Sequence, residues 1–191
     1  MSTEKGAPGN RDQLARVYSE QTWRVYDFLD QSLDPRGPDS LYEVASEYLT
    51  ADSMILDGGC RDAQHLIRLV QAHDASGVGI DPVNVHIERA NAAVAAAGLS
   101  GRIEVLLGVM QELPYPDGHF DFVWCRDVVE QVDELDAAVS ELARVLKPDG
   151  HMLVYTVFVT DRLEPKEAEM LNHHLGNVAG NLIETSVERR V

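Results

Sequence analysis

Residues 54–81 read MILDGGCRDAQHLIRLVQAHDASGVGID, and this stretch decides the fold. Its first residues belong to a short apolar run at 53–57; an amphipathic pattern follows at 62–73 and a second apolar run at 77–81. Two short apolar runs joined by a helix of about 10–15 residues indicate a β-α-β unit with parallel strands. We therefore expect two buried strands joined by a helix, with an acid at the end of each strand.

The same alternation continues along the chain. Strand patterns follow at 102–108, 120–125 and 151–158, and helix patterns at 84–98 and 133–146. Strands that alternate with helices predict an α/β fold, with a Rossmann-like, doubly wound, mainly parallel sheet and helices on both faces. In such a sheet, ligands bind at the carboxyl ends of the strands.

The two ends of the chain differ from this core. We expect a disordered tail at 1–10, a helical cap at 11–50, the Rossmann-like core at 51–160 and a short helical segment at 161–191. The last segment shows no further strand pattern, so the fifth strand is expected at an unpaired sheet edge, which favours association with another chain. A homodimer, a complementing partner chain and a truncated product remain alternatives.

Composition narrows the class of partners. The 191 residues include 32 acids and 16 bases, a formal net charge of -16, which repels nucleic-acid phosphates and anionic membranes. Cys60 and Cys125 are expected to be buried thiols, and no cysteine pair has the spacing of a thiolate zinc site. With a polar N-terminus and no long apolar run, we expect a cytoplasmic protein without nucleic-acid, membrane or metal partners.

The ends of the first two strands predict the kind of ligand. Asp81 follows Asp57 by 24 residues, a spacing that matches the one at which an acid in this topology accepts hydrogen bonds from a ribose diol. Asp62 stands where a dinucleotide would place its pyrophosphate, and the GxGxxG pattern is absent. Because Asp62 repels phosphate, the loop favours S-adenosylmethionine (SAM), whose sulfonium and ammonium groups are positive, over NAD.

Four motifs in order resemble class I SAM-dependent methyltransferases, in particular the ubiquinone/menaquinone-type small-molecule group. ILDGGCRDA (55–63) and GVGIDPVNVHIERAN (77–91) are similar to the motifs of the first two strands. GVMQELPYPDGHFDFVWCRDVVEQV (108–132) and ELARVLKPDGHMLVYT (141–156) are similar to the segments through the fourth and fifth. The resemblance implies methyl transfer from SAM to an O, N or C nucleophile of a small molecule. A non-catalytic methyltransferase-like subunit that stabilises or activates a partner chain is the alternative.

The resemblance also implies a set of cofactor-binding residues at the strand ends. These residues are Asp57, Gly58, Gly59, Cys60, Asp81, Pro82, Met110, Gln111, Cys125 and Arg126. Those after the first strand are expected at the methionine end of SAM, and those after the second at the ribose and adenosine. Residues 110–111 are expected near the adenine, and 125–126 beside the methionine moiety. No catalytic residue is predicted, because SAM itself carries the activated leaving group.

Several positions depart from the family pattern. Arg61 and Ala63 stand in place of loop glycines, although neither accepts a left-handed backbone as readily as glycine. Arg61 is compatible with cofactor binding only if its side chain points outward or pairs with an acid such as Asp62 or Asp81. Gln131 stands in place of a common histidine, so a base, if the reaction needs one, has to come from elsewhere.

The N-terminal cap contains aromatic residues whose role stays open. Apolar spacing is helical over 12–33, and a second helix follows the breaker DPRGP. The first helix carries Tyr18, Trp23 and Tyr26. These rings either form a lid over the substrate and SAM or pack against the sheet.

Overall fold

The structure is a computed structural model, and the residues it describes are 11–18, 22–24, 38–156, 164–166 and 169. The predicted tail at 1–10, Tyr26 and most of the segment at 161–191 lie outside them. Within the described residues, no helix is both long enough and apolar enough to span a membrane.

A five-stranded sheet forms the centre of the described chain. Its strands are β1 (Met54–Gly58), β2 (Ser76–Asp81), β3 (Ile103–Leu107), β4 (Phe120–Arg126) and β5 (Leu146–Tyr155). They lie in the order β3-β2-β1-β4-β5, and every neighbouring pair is parallel. The chain leaves β1 in one direction and returns to its other side with β4, which is the switch point where doubly wound sheets bind ligands. The predicted α/β fold is confirmed.

Helices cover the two faces of this sheet. They are α1 (Arg11–Val17), α2 (Pro38–Ser46), α3 (Gln64–His73), α4 (Asn84–Ala96) and α5 (Leu135–Val145), with a 3-10 turn at Val129–Gln131. One core cluster joins α2, α3 and α4 to the sheet, and a second joins α5 to the opposite face. Because successive side chains of a strand point to opposite faces, β1 and β4 contribute to both clusters, and their central residues at 55–56 and 122–125 are apolar.

Two boundaries predicted from the sequence are wrong. The helix predicted at 12–33 is not continuous, because the backbone bends at Tyr18, whose hydroxyl donates a hydrogen bond to Gln131. The fifth strand, predicted at 151–158, begins at Leu146 directly after α5, so the KPDG stretch at 147–150 lies within β5. There it forms an irregularity opposite Asp121, which accepts hydrogen bonds from the Lys147 ammonium (2.7 Å) and the Met54 amide (2.9 Å).

β5 lies at one end of the strand order. It pairs with β4 on one side, and no described strand pairs with its other side. Its burial pattern is correspondingly more exposed than that of β4. Because β1 pairs in parallel with both β2 and β4, the carboxyl ends of these three strands lie along one edge of the sheet, where the predicted ligand-binding residues come together.

Candidate cofactor site

The loop between β1 and α3 holds three residues in the left-handed conformation. Gly59, Arg61 and Ala63 have φ angles of 77°, 50° and 59°. The loop is anchored to the neighbouring strand, since the Gly59 amide donates to the Ile80 carbonyl (2.9 Å) and the Arg61 amide donates to Asp81 Oδ2 (3.1 Å). Arg61 and Ala63 thus adopt the backbone that glycine would take, and hydrogen bonds offset the strain.

Gly58 and Gly59 allow a close approach of neighbouring side chains. A Cβ atom on Gly58 would lie 2.6 Å from the sulfur of Met110. A Cβ atom on Gly59 would overlap the Val128 side chain, which follows β4. The structure therefore brings Met110 and the β4 end against the glycine loop, as the sequence predicts for parts of one site.

Asp57 presents a buried carboxylate at the end of β1. Its side chain is 2 % exposed, and its Oδ2 accepts no hydrogen bond from any described residue. Burial, followed by the charges of Asp81 and Asp62, raises the pKa of Asp57 to about 8, although Arg61 and the Leu66 amide oppose this shift. A buried acceptor without a donor fits a cationic ligand group such as an ammonium.

Asp81 lies at the end of the adjacent strand. Its Oδ1 accepts hydrogen bonds from the Val83 amide (2.9 Å) and from His86 Nδ1 (2.8 Å), in addition to the Arg61 bond at Oδ2. Because Gly58 pairs with Ile80 in the parallel register, the two acids occupy neighbouring strand ends. Their mutual repulsion contributes to the raised pKa of Asp57.

The Arg61 side chain pairs with an acid, which is one of the two arrangements expected to be compatible with cofactor binding. Its Nε lies 3.5 Å from Asp62 Oδ1, and its Cζ lies 4.9 Å from the centre of the Trp23 ring. The guanidinium is therefore paired with an acid and packed on an aromatic ring of the N-terminal segment. Cation–π contacts of this kind stabilise by about 0.5–1 kcal/mol or more.

Arg126, at the end of β4, belongs to a polar cluster that sequence reasoning missed. Its Nη1 donates to His65 Nε2 (2.8 Å), and His65 Nδ1 in turn contacts the Tyr42 hydroxyl. Tyr42 stacks on Trp124 with 5.2 Å between ring centres. In the sequence, His65 and Tyr42 have the pattern of polar residues on amphipathic helices. Only their proximity to Arg126 in the folded structure indicates that they belong to the site.

The remaining predicted residues occupy different environments. Cys60 and Cys125 are free and buried as expected, and burial raises the pKa of both thiols. Pro82 is half-buried directly after Asp81. The Gln111 amide donates to the backbone carbonyl of Asp133, so its side chain is directed toward the loop before α5. Within the described ranges, no cluster of three His, Cys, Asp or Glu residues could hold a metal.

Two buried polar residues follow β4. Glu130 accepts a hydrogen bond from the Thr156 hydroxyl (2.8 Å), and burial raises the pKa of this carboxyl to about 7. Gln131 accepts one from the Tyr18 hydroxyl (3.0 Å). Both lie in the 3-10 turn where the chain leaves the carboxyl end of β4.

The parallel sheet, the glycine loop and the two strand-end acids define a doubly wound domain of the Rossmann-like class. The chain belongs to the methyltransferase domain family, whose sequence profile matches residues 56–154, about half of the 191 residues. It is a class I SAM-dependent methyltransferase domain, and SAM is the cofactor of this family. The unpartnered Asp57 oxygen fits the ammonium group that SAM carries.

Two relatives of similar sequence are named as methyltransferases, and one solved structure of similar fold is that of a cyclase. A probable chloroplastic tocopherol O-methyltransferase from Oryza sativa subsp. japonica is 34 % identical over 116 residues, 61 % of this chain and 32 % of the relative. The 27-O-demethylrifamycin SV methyltransferase of Amycolatopsis mediterranei is 33 % identical over 104 residues, 54 % of this chain and 38 % of the relative. The crystal structure of the cyclase SpnF matches with a TM-score of 0.61 and 26 % identity, over 76 % of this chain and 59 % of SpnF. The chain thus spans 32 % and 38 % of the lengths of these two relatives.

Proposed function

We propose that this chain binds SAM at the ends of β1 and β2 and transfers its methyl group to an O, N or C nucleophile of a small molecule. The observation that carries the proposal is the Asp57 oxygen, which is buried and accepts no hydrogen bond from a described residue, beside Asp81 in a methyltransferase domain. The names of the two relatives describe methylation of a tocopherol and of a rifamycin, which supports a small-molecule acceptor and a place in secondary metabolism.

The residues at the strand ends would divide the cofactor between them. Asp57 would hold the ammonium group, and Asp81 the ribose diol. Gly58, Gly59 and Cys60 would follow the methionine part, with residues 125–126 beside it. Pro82 and residues 110–111 would border the adenosine. SAM supplies the activated methyl group, so the chain has only to align the acceptor and exclude water.

The organisation around the site is also part of the proposal. Residues 51–160 would form the cofactor-binding core, 11–50 its cap, and 161–191 a short helical segment. A homodimer or a complementing partner chain would cover the outer edge of β5, which no described strand covers. Light scattering on the purified chain tests this assembly, because a monomer at high concentration contradicts the dimer. We further propose a cytoplasmic location.

Calorimetric titration with SAM and its product S-adenosylhomocysteine (SAH) tests the cofactor assignment. We expect saturable binding by the wild type and roughly 10- to 150-fold weaker binding by Asp57→Asn and Asp81→Asn, the range of a hydrogen bond to a charged group. Asp52→Asn removes the same charge at the opposite, amino-terminal edge of β1 and should leave the affinity unchanged. Absence of binding at several hundred micromolar SAM would contradict the proposal and favour the non-catalytic subunit.

A further inference from the structure

His86 is a buried histidine that contacts the proposed ribose acid. It lies in the first turn of α4 and is 2 % exposed. Its Nδ1 lies 2.8 Å from Asp81 Oδ1, so the imidazole donates to the carboxylate. Its Nε2 is buried and has no partner among the described residues. Neither the glycine loop nor the proposed methyl transfer accounts for this side chain.

The hydrogen bonds of Asp81 leave too little room for a ribose. A carboxylate offers about four acceptor positions, and the amides of Arg61 and Val83 together with His86 already use three of them. A ribose diol donates two hydrogen bonds. One protein donor therefore has to leave when both hydroxyls bind. The two amides are fixed in the backbone of the loop and of the turn before α4, so His86 is the donor that can move.

His86 cannot move alone, because two rings of the N-terminal segment pack on it. The Tyr18 and Trp23 rings stand edge-on to the imidazole, with centres 4.5 Å and 5.2 Å away. Trp23 is 4 % exposed and is contacted by the guanidinium groups of Arg61 (4.9 Å) and Arg89 (4.3 Å). Rotation of the imidazole away from Asp81 therefore requires these rings to shift.

We propose that His86 determines the affinity for the cofactor by competing with its ribose for Asp81. Cofactor binding breaks the His86–Asp81 hydrogen bond and displaces Tyr18 and Trp23 from the imidazole. This inference rests on the proposed function, since it takes Asp81 as the ribose-binding acid. It also gives Tyr18 and Trp23 a defined role, as the side chains that move when the cofactor enters.

Titration of the full chain with SAH tests the competition. His86→Leu and His86→Met remove the donor and keep an apolar side chain in the buried position. We expect either variant to bind SAH about tenfold more tightly than the wild type, since neither has to break a hydrogen bond to a charged group. His86→Gln keeps a donor and should bind with nearly wild-type affinity. Circular dichroism identifies any variant that fails to fold.

Tryptophan fluorescence tests the displacement. The chain contains two tryptophans, Trp23 and the fully buried Trp124. SAH should change the emission of the wild type, and this change should be lost in Trp23→Phe. An emission that SAH leaves unchanged, in a protein that binds it, contradicts the displacement of Trp23.

Asp81→Asn separates failure of this inference from failure of the proposed function. If the wild type does not bind SAH, or if Asp81→Asn binds it as well as the wild type does, the assignment of Asp81 is wrong and the inference falls with it. If Asp81→Asn weakens binding but the Leu and Met variants bind no more tightly than the wild type, the cofactor site stands. In that case His86 supports Asp81 instead of competing for it, and the inference alone is overturned.

Discussion

Asp57→Asn should stabilise the protein without cofactor, and the gain should depend on pH. The folded structure raises the pKa of this carboxyl from 3.8 to about 8, chiefly by burial. At about 1.4 kcal/mol per pKa unit, the shift corresponds to roughly 6 kcal/mol of destabilisation when Asp57 is ionised. An asparagine amide that finds no acceptor in the buried site would reduce the gain in stability by about 1–3 kcal/mol. The expected net gain is therefore a few kcal/mol, on the order of half the shift.

The sign of the pH dependence follows from proton binding. Between pH 4 and pH 8 the folded protein keeps the Asp57 proton while the unfolded chain has lost it, so the stability of the wild type falls as pH rises. Below pH 4 both states hold the proton, and above pH 8 neither does. The asparagine variant lacks this dependence. Its advantage should be small at pH 5 and largest at pH 8.

Urea denaturation at pH 5 and pH 8, without ligand, measures this difference. Asp52→Asn serves as the control, since Asp52 is exposed before β1 and its replacement should give the same small change at both pH values. With SAH added in excess, the wild type should gain more stability than Asp57→Asn, because ligand binding stabilises in proportion to affinity. A stability gain of equal size at pH 5 and pH 8 would refute the reasoning.

Three further substitutions test the surroundings of the site. Gly59 has a positive φ and no room for a Cβ, so Gly59→Ala should lower the free energy of unfolding by about 2–3 kcal/mol and weaken SAH binding. Gly98 has φ 71° but open space around it, so the control Gly98→Ala should lower the free energy of unfolding by only about 1 kcal/mol in the same denaturation assay. Tyr42→Phe removes the hydroxyl that contacts His65 and should lower the free energy of unfolding by about 1 kcal/mol. Glu130→Gln should abolish the loss of stability that the raised pKa of this carboxyl, about 7, produces between pH 4.5 and pH 7, as measured by denaturation across that range.

The part of the site that could be predicted depends on local chain geometry. Asp57 and Asp81 end short apolar runs, and parallel strands bring such ends to one edge, so their proximity follows from the pattern. His86 and His65 could not be found in this way. A polar residue in an amphipathic helix indicates an exposed face. His65 instead meets Arg126, which is distant in sequence, and His86 is buried beside Asp81 where Tyr18 and Trp23 pack on it.

For Arg61, the sequence predicts the backbone conformation but not the contacts that stabilise it. Its sequence position predicts an unfavourable backbone conformation, and the structure places it in that conformation at φ 50°. What offsets the strain is non-local, namely the hydrogen bond from its amide to Asp81 and the contact of its guanidinium with Trp23. The KPDG irregularity in β5 is likewise set by a contact between strands, the pair of Lys147 with Asp121.

The sequence by itself determined the order of strands and helices, the parallel sheet and the two acids at its edge. The reason is that buried strands and amphipathic helices have distinct periods, and parallel connections allow few topologies. Only the tertiary structure decided how the loop MILDGGCRDAQH is held against β2, that Arg61 packs on Trp23, and that Tyr18 and Trp23 enclose His86. These outcomes depend on which side chains from distant segments meet in a closely packed interior, and no local period encodes that.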